Sequence, residues 1–409
     1  MPDSSTPAPH AVTFAAITDA AKRLQGKIAR TSTRRSRALS EVSGAEIWVK
    51  YENEQYTAAF KERGALNKLL QLSEKERKRG VICASAGNHA QALAHHARVL
   101  GVPSVIVMPK ATPHVKVEQT RARGAEIVLE GETFDDAYAH AMMLREKRDL
   151  VFVHPFNDVD VMIGQGTVAL EMLEDAPDLD TLVVPIGGGG LISGMAVAAK
   201  AIKPEIRIIG VEAAMYPSFT AMLRGETVRA GGQTIAEGIA VKQAGDLTFA
   251  IAKDLVEEVL LVDEAALEQA VALYVTAERT VAEGAGAAAL AAVLTARERF
   301  AGRRCGLVLS GGNIDTRLLA SVLERSLVRE GRISILRFIG DDRPGILAHV
   351  ARIIGDLNGN ILQVEHHRMK LDAPVKGVEF DIEIETRDLT HTLQIMDALS
   401  TAGYSPRRL

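Results

Sequence analysis

Aromatic residues make up only 4% of this 409-residue chain, which leaves few rings on which nucleic-acid bases could stack. Charge of one sign is lacking too: 48 basic and 52 acidic residues leave a net charge of −4. Neither feature suits a nucleic-acid partner. The one basic cluster, Arg34, Arg35 and Arg37 in TSTRRSRALS, reads as a solvated loop. Cysteine is nearly absent. Cys83 and Cys305 stand far apart in strand-like runs, without metal or redox spacing, and read as buried thiols in a reducing compartment. No metal site is expected. The opening MPDSSTPAPHAV has no charged region followed by an apolar one, so it does not read as a signal peptide. The longest alanine-rich stretch, AEGAGAAALAAVLTA, falls short of the roughly 20 apolar residues that span a bilayer. The expectation is a cytoplasmic protein with no membrane and no nucleic-acid partner.

What is present is a core-forming composition, 47% hydrophobic and 24% charged, and a regular alternation. From residue 46 onward short β-rich runs precede longer amphipathic ones. GVICAS precedes NHAQALAHHARVLG, PSVIVMP precedes HVKVEQTRARG, and EIVLEG precedes TFDDAYAHAMMLREKRD. VFVHP, TLVVPI and IRIIGVEA continue the series. This predicts βαβ units and a parallel sheet with helices on both faces. The pattern changes near residue 325. From ISILRFIG onward the order reads β, α, β, β, α, an α+β module of roughly 75 residues. Residues 1–11 read as a disordered terminus, 12–325 as the first domain, 326–332 as a linker and 333–409 as the second domain.

The chemistry is written at strand ends. In TLVVPIGGGGLISG the four glycines Gly187 to Gly190 join a strand to a helix. Backbone amides at a helix start, approachable where side chains are missing, favour a phosphate. No Gly-Lys-Ser/Thr follows, so the run is not a P-loop. Two further polar turns end strands: Ser85 to His89 in CASAGNHAQALA, and Ser310 to Asn313 in GLVLSGGNID. In open parallel sheets ligands bind at such ends, and the three turns could share one pocket. A bland role for His89, as a polar residue in a first helical turn, is preferred to a catalytic one. Lys61 in TAAFKERG opens a helix, where the macrodipole disfavours a cation. A phosphate cradle, an oddly placed lysine and no metal spacing suggest pyridoxal 5′-phosphate. That cofactor needs a lysine for its aldehyde, a phosphate site and a partner for its pyridine nitrogen.

AAFKERGALNK, SAGNHAQALA, IGGGGLISG, TIAEGIAV, EGAGAAALAA and LSGGNID occur in the order and spacing of threonine ammonia-lyases. The chain resembles that family over roughly residues 12–325. The remainder, with DRPGIL and NGNI, resembles an ACT domain, a small-molecule-sensing module. The resemblance implies a tryptophan-synthase-β-like parallel-sheet fold, with a small subdomain of about residues 55–155 inserted in a large one, followed by the α+β ACT-like domain. It implies that Lys61 is the covalent anchor of pyridoxal phosphate and that Asn88 hydrogen-bonds its ring hydroxyl. Gly187, Gly188, Gly189, Gly190 and Leu191 cradle the phosphate, and Ser310 faces the pyridine nitrogen. The amides of Ser85, Ala86, Gly87, Asn88 and His89 receive the substrate carboxylate. Gly238, Asn157 and Glu283 line the site. The family usually has Ser where this chain has Ala59, so one hydroxyl near the substrate is missing.

The implied reaction is β-elimination and deamination of L-threonine to 2-oxobutanoate and ammonia, and of L-serine to pyruvate. Lys61 would act as base at Cα, with its pKa lowered by its helix-start position. Serine racemase and 3-hydroxyaspartate ammonia-lyase are enzymatic alternatives. A non-catalytic amino-acid sensor is an alternative of another class, which the intact Lys61 opposes. The ACT-like segment implies a branched-chain amino-acid effector, isoleucine or valine, and a homodimer or homotetramer.

Overall fold

A computed structural model describes residues 12–367 and 377–409; the expectation for residues 1–11 lies outside these. The chain divides into two compact units, Met1–Ile314 and Asp315–Leu409.

Two sheets build the first unit. The larger runs in the order Thr33–Ser36, Glu46–Tyr51, Arg304–Leu309, Thr181–Pro185, Arg207–Ala213, Glu258–Val262. Its first pairing is antiparallel and the other four are parallel. The expected loop at Arg34 and Arg35 is therefore an edge strand. Thr33 and Ser36 are buried while both arginines stay in solvent, charges that suit an unpaired edge. Glu258–Val262 adds a strand that the alternation did not reveal. It lies at the other edge and is half solvated, a short apolar run, Val259–Val262, that follows the charged DLVEE.

The smaller sheet, Glu126–Leu129, Ser104–Met108, Val81–Ala84, Val151–Phe152, is parallel throughout. Its strands all fall within residues 81–152, between two strands of the larger sheet. The central two strands are buried along their whole length because each face feeds a different core. Val81, Cys83, Ile106 and Met108 join one apolar cluster; Ile82, Ala84, Val105 and Val107 join the other. The period of two along a strand produces this split. Both cysteines are free and buried. No helix among the described residues is long and apolar enough to cross a membrane.

The second unit opens with the helix Thr316–Arg329, capped by Asp315, whose carboxylate accepts the amides of Arg317 and Leu318. The expected linker 326–332 thus begins in a helix's last turn, because the helical pattern runs on past residue 325. An antiparallel sheet follows, ordered Asn360–His367, Gly377–Glu385, Ile333–Asp341, Arg407–Arg408. The helices Ile346–Asp356 and Leu389–Thr401 supply Val350, Ile354, Ile395 and Leu399 to the core that the sheet fills with Leu336, Phe338 and Phe380. The short last strand was not expected, since Arg407 and Arg408 are both exposed.

Candidate active site

Lys61 is the first residue of the helix Lys61–Gln71. Its backbone is strapped to the turn after the strand Arg304–Leu309. The amide of Phe60 donates to Ser310 O at 3.0 Å, and the amide of Gly312 to Ala58 O at 2.9 Å. Ala59 forms a bridge with Gly311 between them. The strap forces Ala58 into a left-handed conformation, φ +54°, a strained state for a non-glycine residue. Backbone alone therefore joins the lysine to Ser310.

The Lys61 ammonium donates to Pro155 O at 2.8 Å. Burial lowers its pKa to about 8, against the pull of Glu283. The expected lowering is present, with burial as its cause. Phe156, the next residue, packs on the glycine run: a Cβ at Gly188 would stand 2.2 Å from its ring. Gly189 has φ +92°, and a side chain there would meet Thr248 Oγ1 at 2.7 Å. Among the described residues, no carbonyl accepts from the amides of residues 187–191. The carbonyls of the run are used instead. Thr248 Oγ1 donates to Gly188 O at 2.6 Å and Ser193 Oγ to Gly189 O at 2.7 Å. A loop whose carbonyls are tied back, and whose amides are free at a helix start, suits an anion such as a phosphate. Thr248 and Phe156 were not anticipated. No motif marks them, because their part is played across the fold.

Asn88, the first residue of the helix Asn88–Val99, reaches the turn at Asn313 and also Glu283, which precedes the helix Gly284–Thr295. Its Nδ2 donates to Glu283 Oε1 at 2.7 Å and its Oδ1 accepts from Asn313 Nδ2 at 2.8 Å. The amide of Glu283 donates to Gly311 O at 3.1 Å. Burial pushes the Glu283 carboxyl up to about 7, partly offset by the Asn88 hydrogen bond. Gly238 lies in the single turn Glu237–Ile239, its carbonyl 3.2 Å from where a Cβ of Gly187 would stand. A Cβ on Gly238 would in turn stand 3.5 Å from Glu283 Oε1, so Gly238 and Glu283 connect the glycine run to the other two turns. Ser310 is 3% exposed, with its hydroxyl 3.4 Å from Ala285 O.

The residues expected at the substrate differ in which of their groups already have partners. The amide of Ser85 donates to Val107 O at 3.1 Å, completing the strand edge, and cannot serve a carboxylate. Gly87 N donates to Ser85 Oγ at 3.3 Å. The amides of Ala86, Asn88 and His89 have no acceptor among the described residues and stand at a helix start. Asn157 turns its side chain to Asp246 Oδ1, at 2.6 Å, and to the amide of Leu247, at 3.1 Å. It thereby anchors the segment whose Gly245 amide donates to Gly188 O, supporting the cradle from behind. The His89 ring is buried and Nε2 donates to Val153 O at 3.0 Å, which fixes its tautomer. Burial and the nearby Lys61 lower its pKa to about 3, so it stays neutral and has no proton to move near pH 7.

Residues 24–311 match the model of the pyridoxal-phosphate dependent enzyme family. The chain belongs to that family. Residues 334–401 match the ACT domain. The L-threonine ammonia-lyase of Thermotoga maritima is 44% identical over 398 residues, covering 97% of this chain and 99% of that protein. Among solved structures, threonine deaminase isoform 2 of Solanum lycopersicum superposes with a TM-score of 0.72 at 34% identity, covering 77% of this chain and 88% of that one. Maize serine racemase gives 0.72 at 34% identity, covering 78% and 99%. This pyridoxal-phosphate enzyme carries residues that fit its cofactor. A helix-start loop with free amides suits the phosphate. A half-buried lysine with a lowered pKa suits the aldehyde, and a buried hydroxyl at Ser310 suits a ring nitrogen.

Beneath Lys61 lies a charged cluster that the sequence did not disclose. Arg63 is fully buried, and its guanidinium donates to Glu52 at 2.7 Å through both Nε and NH2. It also donates to Glu171, at 2.7 and 2.8 Å, and to Thr167 Oγ1 at 3.1 Å. Lys50 donates to Glu171 at 2.5 Å and to Thr31 O at 2.6 Å. The cluster clamps the first turn of the lysine's helix to the sheet and to the helix Val159–Asp175.

Proposed function

We propose that this enzyme is an L-threonine ammonia-lyase, releasing 2-oxobutanoate and ammonia, with L-serine converted to pyruvate as a second reaction. The observation that carries this reading is the joining of Lys61, through Pro155 O and Phe156, to the free-amide loop, with Ser310 strapped beside it. Bound pyridoxal phosphate supplies an electron sink for the bond broken at Cα. Lys61 anchors it and, once displaced by the substrate amine, takes the Cα proton. The amides of Ala86, Asn88 and His89 hold the substrate carboxylate. Gly187 to Leu191 hold the phosphate, and Asn88 faces the ring hydroxyl. The test is release of 2-oxo acid from a panel of β-hydroxy amino acids. Turnover of threonine well above that of 3-hydroxyaspartate is expected; the reverse order would overturn the assignment. In the same reactions recovered serine should contain little D-isomer relative to pyruvate. Racemisation needs a proton donor on the opposite face of the substrate. Serine racemases have a serine before Gly-Asn-His there, and this chain has Ala86.

Ser310 is neutral and cannot keep the ring nitrogen protonated as a carboxylate would. Beside Ser310 a bound ring would be a weaker electron sink, which would favour prompt elimination. Ser310→Asp is expected to raise the ring nitrogen's pKa and slow elimination by about tenfold or more. Unchanged kinetics and an unchanged cofactor spectrum would count against this role.

In the ACT domain a groove of about 560 Å³ lies beside the start of the helix Ile346–Asp356, lined by Asp341, Arg343, Gly345, His349 and Tyr404 among others. Gly345 opens that helix at φ +93°, and His349 Nδ1 lies 2.9 Å from Tyr404 OH. We assign a branched-chain amino-acid effector, isoleucine or valine, to this domain, and a homodimeric or homotetrameric assembly to the enzyme. We place it in the cytoplasm, in keeping with its two free thiols. Titration of the intact enzyme with each branched-chain amino acid is expected to shift substrate affinity by roughly 5–150-fold for at least one. Absence of both binding and response to all three would make the domain structural only.

A further inference from the structure

The side chains of Asn88 and Asn313 can each be placed in only one orientation. Thr57 O is a backbone carbonyl and can only accept, so the Asn313 atom 2.7 Å from it is Nδ2. That nitrogen also lies 2.8 Å from Asn88, and the atom facing it must be an acceptor, Oδ1. Asn88 Nδ2 is thereby turned the other way, 2.7 Å from Glu283 Oε1. It carries two N–H groups and has one acceptor among the described residues.

The carbonyl that starts this chain of constraints is itself held. The amide of Thr57 donates to the buried carboxylate of Glu62, whose other oxygen meets His96 Nε2 at 3.0 Å. At the far end a Cβ on Gly311 would stand 2.5 Å from Glu283 Oε1 and 3.2 Å from Asn88 Nδ2. The missing side chain lets the pair close up. The contacts join residues 57, 88, 283 and 313, which meet only in the folded chain.

We propose that Asn313 is a positioning residue for the cofactor. By donating to Asn88 Oδ1 it makes Asn88 present N–H groups, and not its carbonyl, to Glu283 and to the ring oxygen of pyridoxal phosphate. This rests on the reading of Asn88 given above. A carbonyl turned toward that oxygen would repel its ionised form, because both are then acceptors, whereas N–H groups stabilise it.

Asn313→Asp keeps the shape and removes the donor. Asn88 then turns its N–H groups to the new carboxylate and its carbonyl to the cofactor. The dissociation constant of pyridoxal phosphate, measured by titrating the apoenzyme, is expected to rise about tenfold, with a changed visible absorption band in the holoenzyme. In an Asn88→Ala background the same substitution is expected to change that constant by less than about twofold, because the route through Asn88 is gone. Equal effects in both backgrounds, or none in either, overturn the proposal. If Asn88→Ala alone leaves affinity and spectrum unchanged, the reading of Asn88 fails, and the inference with it. If Asn88→Ala has its effect but the two changes simply add, the inference about Asn313 alone fails. Should Asn313→Asp apoprotein lose its far-ultraviolet signal, Asn313→Ala is carried through the same cycle. It lacks a donor without adding a charge, and the same pattern of outcomes decides.

Discussion

Lys61→Ala is expected to abolish the visible absorption of the purified enzyme and to lower turnover by about 10³-fold or more, since anchor and base are lost together. The phosphate cradle stays intact, so the variant should still bind pyridoxal phosphate, weakly and without the covalent band. A Lys61→Ala protein that eliminated water at the wild-type rate would sink the mechanism. The pKa of the lysine gives a second measurement. Burial lowers it to about 8 from an ordinary 10.5. The neutral amine is the form that attacks an aldehyde. Its fraction in the apoenzyme rises about tenfold per pH unit below that value and levels off above it. The rate of cofactor capture should therefore climb from pH 6 to about 8 and then flatten. A rate still climbing tenfold per unit at pH 9.5 would mean that the lysine is solvated. In stability the sign follows the same shift. The unfolded chain holds this proton more tightly, so Lys61 weakens the fold below pH 8, and that penalty fades as pH rises toward 10.5.

The largest expected loss of stability comes from Glu52→Ala. This leaves Arg63, fully buried, without two of its charge-assisted bonds. Arg63 keeps Glu171, but the cluster of Lys50, Arg63 and Glu171 is left with one net positive charge. Breaking a buried pair in this way costs about 3–5 kcal/mol, so the first unit's thermal transition should fall by roughly 5–10 °C. Activity should fall too, because Arg63 lies two residues from Lys61. Replacing both partners, Glu52→Gln with Arg63→Met, is expected to recover part of the loss, since no unpaired charge is then buried. A transition unmoved by Glu52→Ala would mean that the cluster adds nothing net. The pH dependence has a definite sign. Burial pushes the Glu52 carboxyl up, but Arg63 and Lys50 outweigh it and hold the pKa at about 2. The stabilisation is present in full above pH 4.5 and is lost as pH falls from there toward 2; it amounts to about 3 kcal/mol. Glu52→Gln should remove that part of the acid sensitivity.

The sequence by itself determined the repeating β–α order, the cofactor class and the polar turns at the strand ends. Each of these is a local matter. TLVVPI must be a strand covered on both faces, four successive glycines must be a close-approach turn, and a lysine before an amphipathic run must open a helix. Resemblance then supplied roles for Lys61, Asn88 and Ser310 that the sequence spacing alone could not. The tertiary structure decided which groups were still free to act. Ser85 lost its amide to Val107, and Asn157 lost its side chain to Asp246 and Leu247. Neither loss could be read from a motif, because the partners lie in other elements. The buried cluster of Lys50, Glu52, Arg63 and Glu171 was equally hidden. In sequence these are ordinary surface-type residues, and only the packing of one helix against a sheet and a second helix places opposite charges together away from water. The order Asn313 to Asn88 to Glu283 belongs with them: it spans 195 residues between Asn88 and Glu283. A hydrogen bond's direction is set by which atoms face each other, and that is settled only when the chain has folded.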